Sequence, residues 1–463
     1  MASPSPTTVA LVSLGCPKNL VDSETILGEL AAAGCIVCAK ADAAEVIIVN
    51  TCGFVAAARE ESLSVIREAV ALRDNGPVRR VVVAGCLAQR DGDDLRRQVP
   101  GVDAVIGLND RAQLAQAVLG EGEFTAVRPY AARRRELGQD VTADDTGRLR
   151  LTPRHTAYLR VSEGCSQGCS FCTIPAICGP FRSKEPGRVL AEARELIADG
   201  ALELNVIGQD TTSYGRDIGY DAGLAGLLRE MNDLDGARWI RLMYAYPSSV
   251  TDELIEAMAV CDRVVKYIDL PLQHMADPIL KAMRRGITRS QTERLLERLR
   301  ARVEGLAVRT TFIVGFPGET DAMFEQLCAF VRAFRFDAMG VFEYSQEADT
   351  PAAALVNEVP PDLRRHRREQ LMLAQQEIAF VANAGRVGES VDVLVDGVDT
   401  EGACVGRHAG QAPEVDSVCY LTDPRPAGTL VTGVVADWAD YDLIVQPSPG
   451  GKRRRTGRAG AKR

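Results

Sequence analysis

Residues 157–172, AYLRVSEGCSQGCSFC, join a strand-like run to a compact group of three cysteines. The cysteines are Cys165, Cys169 and Cys172, in the spacing C-x3-C-x2-C. In α/β folds, ligands bind at the carboxyl ends of strands, and these thiols follow such an end. The segment therefore predicts an α/β fold with a metal site at a strand end.

Residues 151–385 continue the alternation of strands and helices. Helical segments such as Arg188–Asp199 and Arg289–Val303 separate most of the strand-like runs. The runs are AYLRVSEG, ELNVIGQ, WIRLMYA, VVKYIDL, VRTTFIVG and MGVFEY. Six units are too few for an eight-stranded barrel, so we predict a partial (β/α)6 barrel with its site at the mouth formed by the strand ends.

Residues 8–120 carry a separate series of strand and helix signals. TVALVSL, EVIIVN and RRVVVAG are short β-branched runs, and Ala56–Leu72 is one of the helical stretches between them. This alternation predicts a doubly wound parallel α/β domain. The polar, aperiodic residues 121–150 are predicted to form a linker to the barrel.

The C-terminal part changes in texture after a long charged helix, which is predicted over Pro360–Asn383. Residues 386–448 are short valine-rich strands broken by Gly, Asp and Pro, which predicts a small, acidic, all-β barrel. Residues 449–463 are rich in Gly, Ala, Lys and Arg, so we predict a disordered basic tail.

Composition indicates the class of protein and its compartment. The chain of 463 residues is 46% hydrophobic, has a formal net charge of −9 and contains 13 cysteines. No apolar stretch is long enough to span a membrane and the N-terminus lacks a basic signal region, so we expect a cytoplasmic protein with no membrane partner. Thiols stay reduced in the cytoplasm, so the cysteines are candidate metal ligands before they are candidate disulfides.

The group Cys165, Cys169 and Cys172 suits an iron–sulfur cluster held by three thiolates. Three ligands leave one iron of a 4Fe–4S cluster open, and an open iron can bind the amino and carboxylate groups of S-adenosylmethionine (SAM). One electron then cleaves a carbon–sulfur bond and forms a 5′-deoxyadenosyl radical. Two alternatives stay open: Cys178 could complete a four-cysteine site, or the group could bind zinc.

A second set of cysteines is spread over the N-terminal domain. Cys16 follows TVALVSLG, Cys52 follows EVIIVNT and Cys86 follows RVVVAG, at separations of 36 and 34 residues. The carboxyl ends of parallel strands meet at one edge of a sheet, so we expect these thiols to converge on a second cluster. The alternative is three buried core cysteines. Cys35 and Cys38 form a C-x-x-C within an apolar run and are expected to be structural.

The motifs SLGCPKN, NTCGF, GCL and SEGCSQGCSFCTIP together resemble the radical-SAM methylthiotransferases. That family combines an N-terminal cluster domain, a radical-SAM barrel and a C-terminal TRAM β-barrel, and the resemblance extends from about residue 8 to 446. It implies two 4Fe–4S clusters. Cys16, Cys52 and Cys86 would hold the auxiliary one, and the group that begins with Cys165 would hold the one that binds SAM.

The family has a branch that modifies tRNA adenosine and a branch that modifies an aspartate of small-subunit ribosomal protein twelve. The chain resembles the second in SLGCPKN, GQDTTSYGRD, YAYP, IDLPLQH, VFEYSQEADTPAA and GRHAGQAPEVDS. The acidic C-terminal barrel agrees, because a tRNA-binding module should be basic whereas ribosomal proteins are generally basic. The expected partners are that ribosomal protein or the subunit carrying it, an electron donor and a sulfur source, with tRNA disfavoured. Cys178 departs from the family pattern, which often has arginine there.

Further site residues are implied only by resemblance to radical-SAM barrels. The candidates for SAM or substrate binding are Phe171, Gln209, Asp210, Gly315 and Glu319. Those in GQDTT and FIVGFPGET fall at strand ends, where the alternative is a role in turns. His274 in LPLQHMAD is expected to make a structural hydrogen bond rather than to act in catalysis.

The reaction that the resemblance implies replaces a hydrogen on the β-carbon of an aspartate by a methylthio group. One SAM would give its methyl group to a sulfur at the auxiliary cluster, and a second would yield the radical that abstracts the hydrogen. Two rival hypotheses remain. A tRNA methylthiotransferase would bind tRNA, and a non-catalytic iron–sulfur or nucleic-acid-binding protein would not turn over SAM.

Overall fold

The computed structural model describes residues 6–74, 76–137 and 142–448, which form three modules in chain order. The predicted basic tail, residues 449–463, lies outside the described residues. Within the described ranges, no helix is both long and apolar enough to cross a membrane.

The first module is a parallel six-stranded sheet with helices on both faces. Its strands are β1 (Thr8–Ser13), β2 (Ile36–Val37), β3 (Val46–Thr51), β4 (Arg80–Gly85), β5 (Ala104–Gly107) and β6 (Phe124–Ala126). Its helices are α1 (Pro17–Ala32), α2 (Ala56–Ala71), α3 (Cys86–Asp91), α4 (Asp94–Gln98) and α5 (Leu114–Leu119). The order β2-β1-β3-β4-β5-β6 confirms the doubly wound prediction. The order in which the strands are added to the sheet reverses between β1 and β3, and ligands bind at such a switch point.

The described parts of the segment predicted to be a linker, residues 121–137 and 142–150, contain regular elements and a buried side chain, which differs from that prediction. β6 is the edge strand of the first sheet, and α6 (Tyr130–Leu137) follows it. Asp145 is 2% exposed. Sequence patterning misses these elements because β6 has only three residues and α6 is mostly polar, so neither shows a hydrophobic period.

The second module is the predicted partial barrel. Its strands are β7 (Thr156–Arg160), β8 (Ser162–Glu163), β9 (Arg182–Ser183), β10 (Glu203–Ile207), β11 (Trp239–Leu242), β12 (Val264–Asp269), β13 (Ala307–Val314) and β14 (Ala338–Glu343). Its helices are α7 (Ile174–Cys178), α8 (Pro186–Ala198), α9 (Gly223–Asn232), α10 (Asp252–Val260), α11 (Asp277–Ala282), α12 (Arg289–Arg302), α13 (Asp321–Phe334) and α14 (Pro361–Gly385). Six parallel strands form the sheet β7-β10-β11-β12-β13-β14, which confirms the six predicted runs. β8 and β9 form a separate antiparallel pair.

The third module is a closed five-stranded barrel, as predicted. Its strands are β15 (Ser390–Val398), β16 (Cys404–His408), β17 (Cys419–Leu421), β18 (Leu430–Ala439) and β19 (Asp442–Pro447). They close in the order β15-β16-β17-β19-β18 around a small apolar core.

The inner face of the partial barrel is covered by the other two modules. Val21 of α1 and Ala412 of the third module share one apolar cluster with the inward-facing Tyr158 and Tyr267. Arg407 of the third module donates to the buried carboxylate of Glu203, with 2.7 Å between Nη2 and Oε2. An open barrel cannot bury its inner face alone, so the neighbouring modules complete its core.

Candidate functional site

All six predicted cluster ligands line one cavity of about 630 Å³ between the first module and the mouth of the partial barrel. Cys16, Cys52 and Cys86, here called the first triad, come from the ends of β1, β3 and β4. Cys165, Cys169 and Cys172, the second triad, come from the loop after β8. A seventh cysteine, Cys178, lines the same cavity. The fold therefore brings together thiols that lie up to 162 positions apart in the chain.

Glycines allow the three loops of the first triad to approach one another. Gly15 has φ 92°, and a Cβ there would lie 2.9 Å from Cβ of Cys52. Gly85 has φ 93°, and its Cβ would lie 2.7 Å from the carbonyl oxygen of Thr51. Both positions combine a left-handed backbone with contacts too close for any side chain, so only glycine fits.

Asn19 ties the loops of the first triad together, and the sequence analysis did not identify it. Its side-chain amide donates to the carbonyl oxygens of Leu14 at 3.0 Å and Thr51 at 2.8 Å. Its Oδ1 accepts from the Cys86 thiol, with 3.4 Å between the two atoms. Asn19 is 2% exposed, and its position within SLGCPKN was the only available signal.

The cavity keeps several of its thiols protonated. Burial raises the pKa of Cys165 to about 11 and that of Cys172 to about 12. A hydrogen bond with the Cys178 thiol, followed by burial, raises the pKa of Cys86 well above its ordinary value. Iron binds the thiolate, so Cys86, Cys165 and Cys172 would each release a proton on binding iron.

Two residues from loops far along the chain, Arg285 and Tyr246, support the second triad. Nη1 of Arg285 donates to Sγ of Cys169 at 3.4 Å, and Nη2 donates to the carbonyl oxygen of Pro271 at 2.6 Å. The guanidinium lies over the ring of Tyr246, 4.2 Å from the ring centroid. Nothing in the local sequence around Arg285 or Tyr246 indicated this contact.

The donors of each triad fit an iron–sulfur cluster, because all three are cysteine thiols on the wall of one cavity. Among the described residues, no group of three or more His, Cys, Asp or Glu side chains is placed to hold a metal ion. Ligands of one ion such as zinc must all converge to about 2.0–2.3 Å from it. A 4Fe–4S cluster is instead held by cysteines at its separate corners, and the cavity has room for such a group.

Two unpartnered amide oxygens indicate that the cavity binds a polar ligand. Oε1 of Gln209 and Oε1 of Gln273 are buried without a hydrogen-bond partner in the described structure, and both residues line the cavity. Gln273 also has φ 74°, a conformation that costs energy for a residue with a side chain. A buried orphan acceptor costs about 1–3 kcal/mol, which an amino or hydroxyl group of a bound ligand would offset.

Positive charge predominates in the lining of the cavity. Among the described residues the lining includes six cationic side chains and two carboxylates. The cations are Lys18, Arg111, Arg133, Arg160, Arg182 and Arg285, and the carboxylates are Asp22 and Glu163. A concave surface of one sign concentrates ligands of the other sign, so the cavity favours carboxylates.

The remaining predicted binding residues divide into two groups. Phe171 and Gln209 line the cavity, whereas Asp210, Gly315 and Glu319 do not. The Asp210 carboxylate accepts hydrogen bonds from its own loop and from Gln167 Nε2 at 2.8 Å. Oε2 of Glu319 accepts from the backbone amide of Gly315 and from a guanidinium. These carboxylates already have partners inside the protein, and a role for them in ligand binding stays a prediction.

His274 has the structural contacts predicted for it. It is 0% exposed, and Nδ1 accepts from the backbone amide of Ala276 at 2.9 Å. Nε2 lies 3.2 Å from Oε1 of Glu319. The imidazole therefore holds the loop after β12 against the end of β13 and does not reach the cavity.

Lys18 and Tyr244 connect the first triad to the barrel. Nζ of Lys18 lies 3.3 Å from the centroid of the Tyr244 ring. Tyr244 has φ 58°, and its backbone amide donates to Asp269 at 3.2 Å. A strained backbone in a cavity wall is typical of a functional site, and the pair joins SLGCPKN to the barrel segment that contains YAYP.

Three family models match the chain, one in each module. The uncharacterized protein family UPF0004 matches residues 8–107, the radical SAM superfamily matches residues 159–331, and the TRAM domain matches residues 387–447. Each match falls within one of the modules predicted from the sequence.

Curated relatives resemble nearly the whole chain. Ribosomal protein uS12 methylthiotransferase RimO of Anaeromyxobacter sp. (strain K) is 44% identical over 95% of this chain and 92% of its own length. The RimO protein of Geobacter sulfurreducens is 42% identical over 94% of this chain and 97% of its own.

A solved structure shares the fold at low sequence identity. The radical S-adenosylmethionine methyltransferase TsrM from Kitasatospora setae superposes with a TM-score of 0.54 at 16% identity, over 80% of this chain and 89% of that one. The alignments to the curated relatives, 41–44% identical overall, cover 94–95% of this chain. The chain therefore belongs to the family of ribosomal protein uS12 methylthiotransferases (RimO).

Proposed function

We propose that this chain transfers a methylthio group to the β-carbon of an aspartate in ribosomal protein uS12, using SAM and two 4Fe–4S clusters. The observation that carries the proposal is the single cavity lined by both cysteine triads. A binding protein has no need of two three-cysteine sites that face one space. Enzymes of the radical SAM superfamily use SAM with a 4Fe–4S cluster, and the superfamily model matches the barrel of this chain.

The second triad would hold the cluster that binds SAM, and the first triad would hold the auxiliary cluster. When bound, these groups supply one-electron chemistry at a carbon whose hydrogen is not acidic enough for a side-chain base. The protein's own part is to hold the two sites in one cavity. Asn19 fixes the loops of the first triad, and Arg285 places a charge beside Cys169. Gln209 and Gln273 offer acceptors to the amino or ribose hydroxyl groups of SAM.

The third module favours a basic protein over a nucleic acid as the partner. Its acids include Asp423, Asp437 and Asp440, which are exposed. Other acids of this module, such as Asp396 and Asp416, are paired with arginines and add less to the surface charge. An acidic exterior repels the phosphate backbone of tRNA and suits a basic ribosomal protein. We place the reaction in the cytoplasm, where electron and sulfur donors and reduced thiols are available.

Arg133 is the residue that we expect to bind the carboxylate of the substrate aspartate. It lines the cavity from α6 and lies within electrostatic reach of Glu163, but no hydrogen bond or ion pair joins it to another described residue. The other arginines that line the cavity have partners inside the structure. Nη2 of Arg182, for example, lies 2.9 Å from Oε2 of Glu163. A charge-assisted hydrogen bond contributes about 1.5–3 kcal/mol, so R133M should raise KM for uS12 about 10-fold to 100-fold.

The kinetics of R133M should separate substrate binding from cofactor chemistry. We expect SAM cleavage without uS12 to stay within about twofold of the unsubstituted protein, and R133K to recover part of the lost affinity. R134M is the matched control, because Arg134 is exposed on the same helix and does not line the cavity. An unchanged KM in R133M would remove Arg133 from the substrate site.

The function is tested with anaerobically reconstituted protein, SAM and a reductant, offered either uS12 or tRNA. We expect 5′-deoxyadenosine and a methylthio group on one aspartate of uS12, located by peptide mass spectrometry. A methylthio nucleoside in the tRNA digest, with uS12 unmodified, would overturn the substrate but keep the chemistry. No SAM turnover in protein that holds both clusters would overturn the enzymatic proposal.

A further inference from the structure

Cys178 lies at the junction of the two triads, although it belongs to neither. It ends α7, the short helix that follows the second triad, and it is 9% exposed. α7 packs against α3, whose first residue is Cys86. The hydroxyl of Thr173, just before α7, donates to the carbonyl oxygen of Phe54 at 3.2 Å. The segment 173–178 is thus fastened to the loops of the first triad.

Cys178 lies beside the first triad as well as beside the second. It lines the common cavity together with Cys86, and its helix α7 packs against α3, the helix that begins at Cys86. Its own backbone is fixed, because Nη1 of Arg182 donates to the Cys178 carbonyl oxygen at 3.0 Å. Cys178 is only six positions after Cys172, yet the packing of α7 places it against the first module.

Three cysteines leave one iron of a 4Fe–4S cluster without a protein ligand. A fourth thiol beside such a site can fill the open position, provided that its side chain already faces the cavity. Cys178 is the one cysteine among the described residues that lines the cavity outside the two triads. Other buried cysteines, such as Cys261 and Cys328, belong to the apolar core of the barrel.

We propose that Cys178 is a displaceable fourth ligand of the auxiliary cluster, and this inference rests on the function proposed above. On binding iron, the Cys178 thiol gives up its proton to solvent. An incoming thiol or hydrosulfide gives up its own proton as it replaces Cys178, which is protonated again. The exchange therefore releases one proton and takes up one, and it leaves the oxidation state of the iron unchanged. Cys178 protects the open iron until a sulfur ligand arrives.

The test isolates the auxiliary cluster in the full-length chain. The second triad is removed by the substitutions C165A, C169A and C172A, and the cluster is reconstituted, reduced and followed by electron paramagnetic resonance. Methanethiol is then titrated into protein with Cys178 and into C178A. If Cys178 occupies the open iron in nine of ten molecules, half-saturation by methanethiol should need about tenfold more thiol than in C178A. The two spectra before titration should also differ.

Two further variants make the comparison decisive. C328A, which removes a buried cysteine of α13, should leave the spectrum and the titration unchanged. If the circular dichroism of C178A shows that this variant does not fold, the comparison is repeated with C178S, whose side chain is similar in size to that of cysteine. Loss of iron from C178A with the circular dichroism intact would also support ligation by Cys178.

The outcomes separate this inference from the proposed function. If protein with Cys178 and C178A give superimposable spectra and equal half-saturation by methanethiol at equal iron content, Cys178 is not a ligand. That result would leave the auxiliary cluster in place. Failure to form any cluster on the first triad in protein that keeps Cys178 would overturn both the inference and the proposed function.

Discussion

Alanine at Cys165, Cys169 or Cys172 will abolish SAM cleavage, whereas alanine at Cys16 or Cys52 or Cys86 will preserve cleavage and abolish methylthio transfer. Each variant should lose about four iron atoms per chain, because each triad holds one 4Fe–4S cluster. The measurements are iron content, 5′-deoxyadenosine formed from SAM, and modified uS12.

The physical reason for this division is that the triads line one cavity, but different residues hold the loops of each triad in place. The first triad depends on glycines and on Asn19, which join loops of the first sheet. The second triad depends on Arg285 and on the anchoring of Ser170 to the carbonyl oxygen of Ala282 at 2.7 Å. Removing a ligand from one site therefore leaves the supports of the other intact.

The controls for this prediction are the core cysteines of the barrel. C261A and C328A should retain both clusters and both activities, because neither residue lines the cavity. Equal loss of SAM cleavage in the two sets of triad variants would contradict the assignment of separate clusters.

Replacing Lys184 with methionine will destabilise the junction of the modules by about 3–5 kcal/mol, as removal of one partner of a buried ion pair does. Nζ of Lys184 lies 2.6 Å from Oδ2 of Asp145 and 2.7 Å from Oε1 of Glu192, with both carboxylates buried. Burial alone would raise the pKa of Asp145, but Arg160 and Lys184 hold it well below its ordinary range. Without Lys184, Glu192 keeps its burial and loses its countercharge.

The measurement is urea denaturation of cluster-free protein, followed by circular dichroism. K281M is the matched control, since Lys281 is exposed on α11, and it should change the free energy of unfolding by no more than about 0.5 kcal/mol. The double variant K184M/E192L removes the stranded carboxylate and should recover most of the loss. If K184M lowers the free energy of unfolding by less than about 1 kcal/mol, the ion pairs of Lys184 with Asp145 and Glu192 do not stabilise the fold.

The sequence predicted the three modules and the strand ends that carry cysteines because both follow from short-range patterns. Parallel strands align their carboxyl ends, so the residues after β1, β3 and β4 had to share an edge. The predicted helix Arg289–Val303 is confirmed as Arg289–Arg302 for a similar reason, since its apolar period is local.

The parts that escaped prediction depend on packing between modules. Arg285 reaches Cys169 across 116 positions, and Lys18 meets Tyr244 across the boundary between the first sheet and the barrel. No periodicity in either segment encodes such a contact. Cys178 shows the same limit: its spacing from Cys172 left a four-cysteine site open as an alternative, whereas the structure packs its helix α7 against α3, which begins at Cys86.

Methylthio transfer to uS12 can be tested in cells by the intact mass of that protein. It would be purified from cells that lack this gene, and from the same cells with the gene or its C165A variant restored. We expect uS12 to gain the mass of one methylthio group in place of one hydrogen, on an aspartate, only with the unsubstituted gene. An unchanged mass of uS12 in all three strains would contradict the claim.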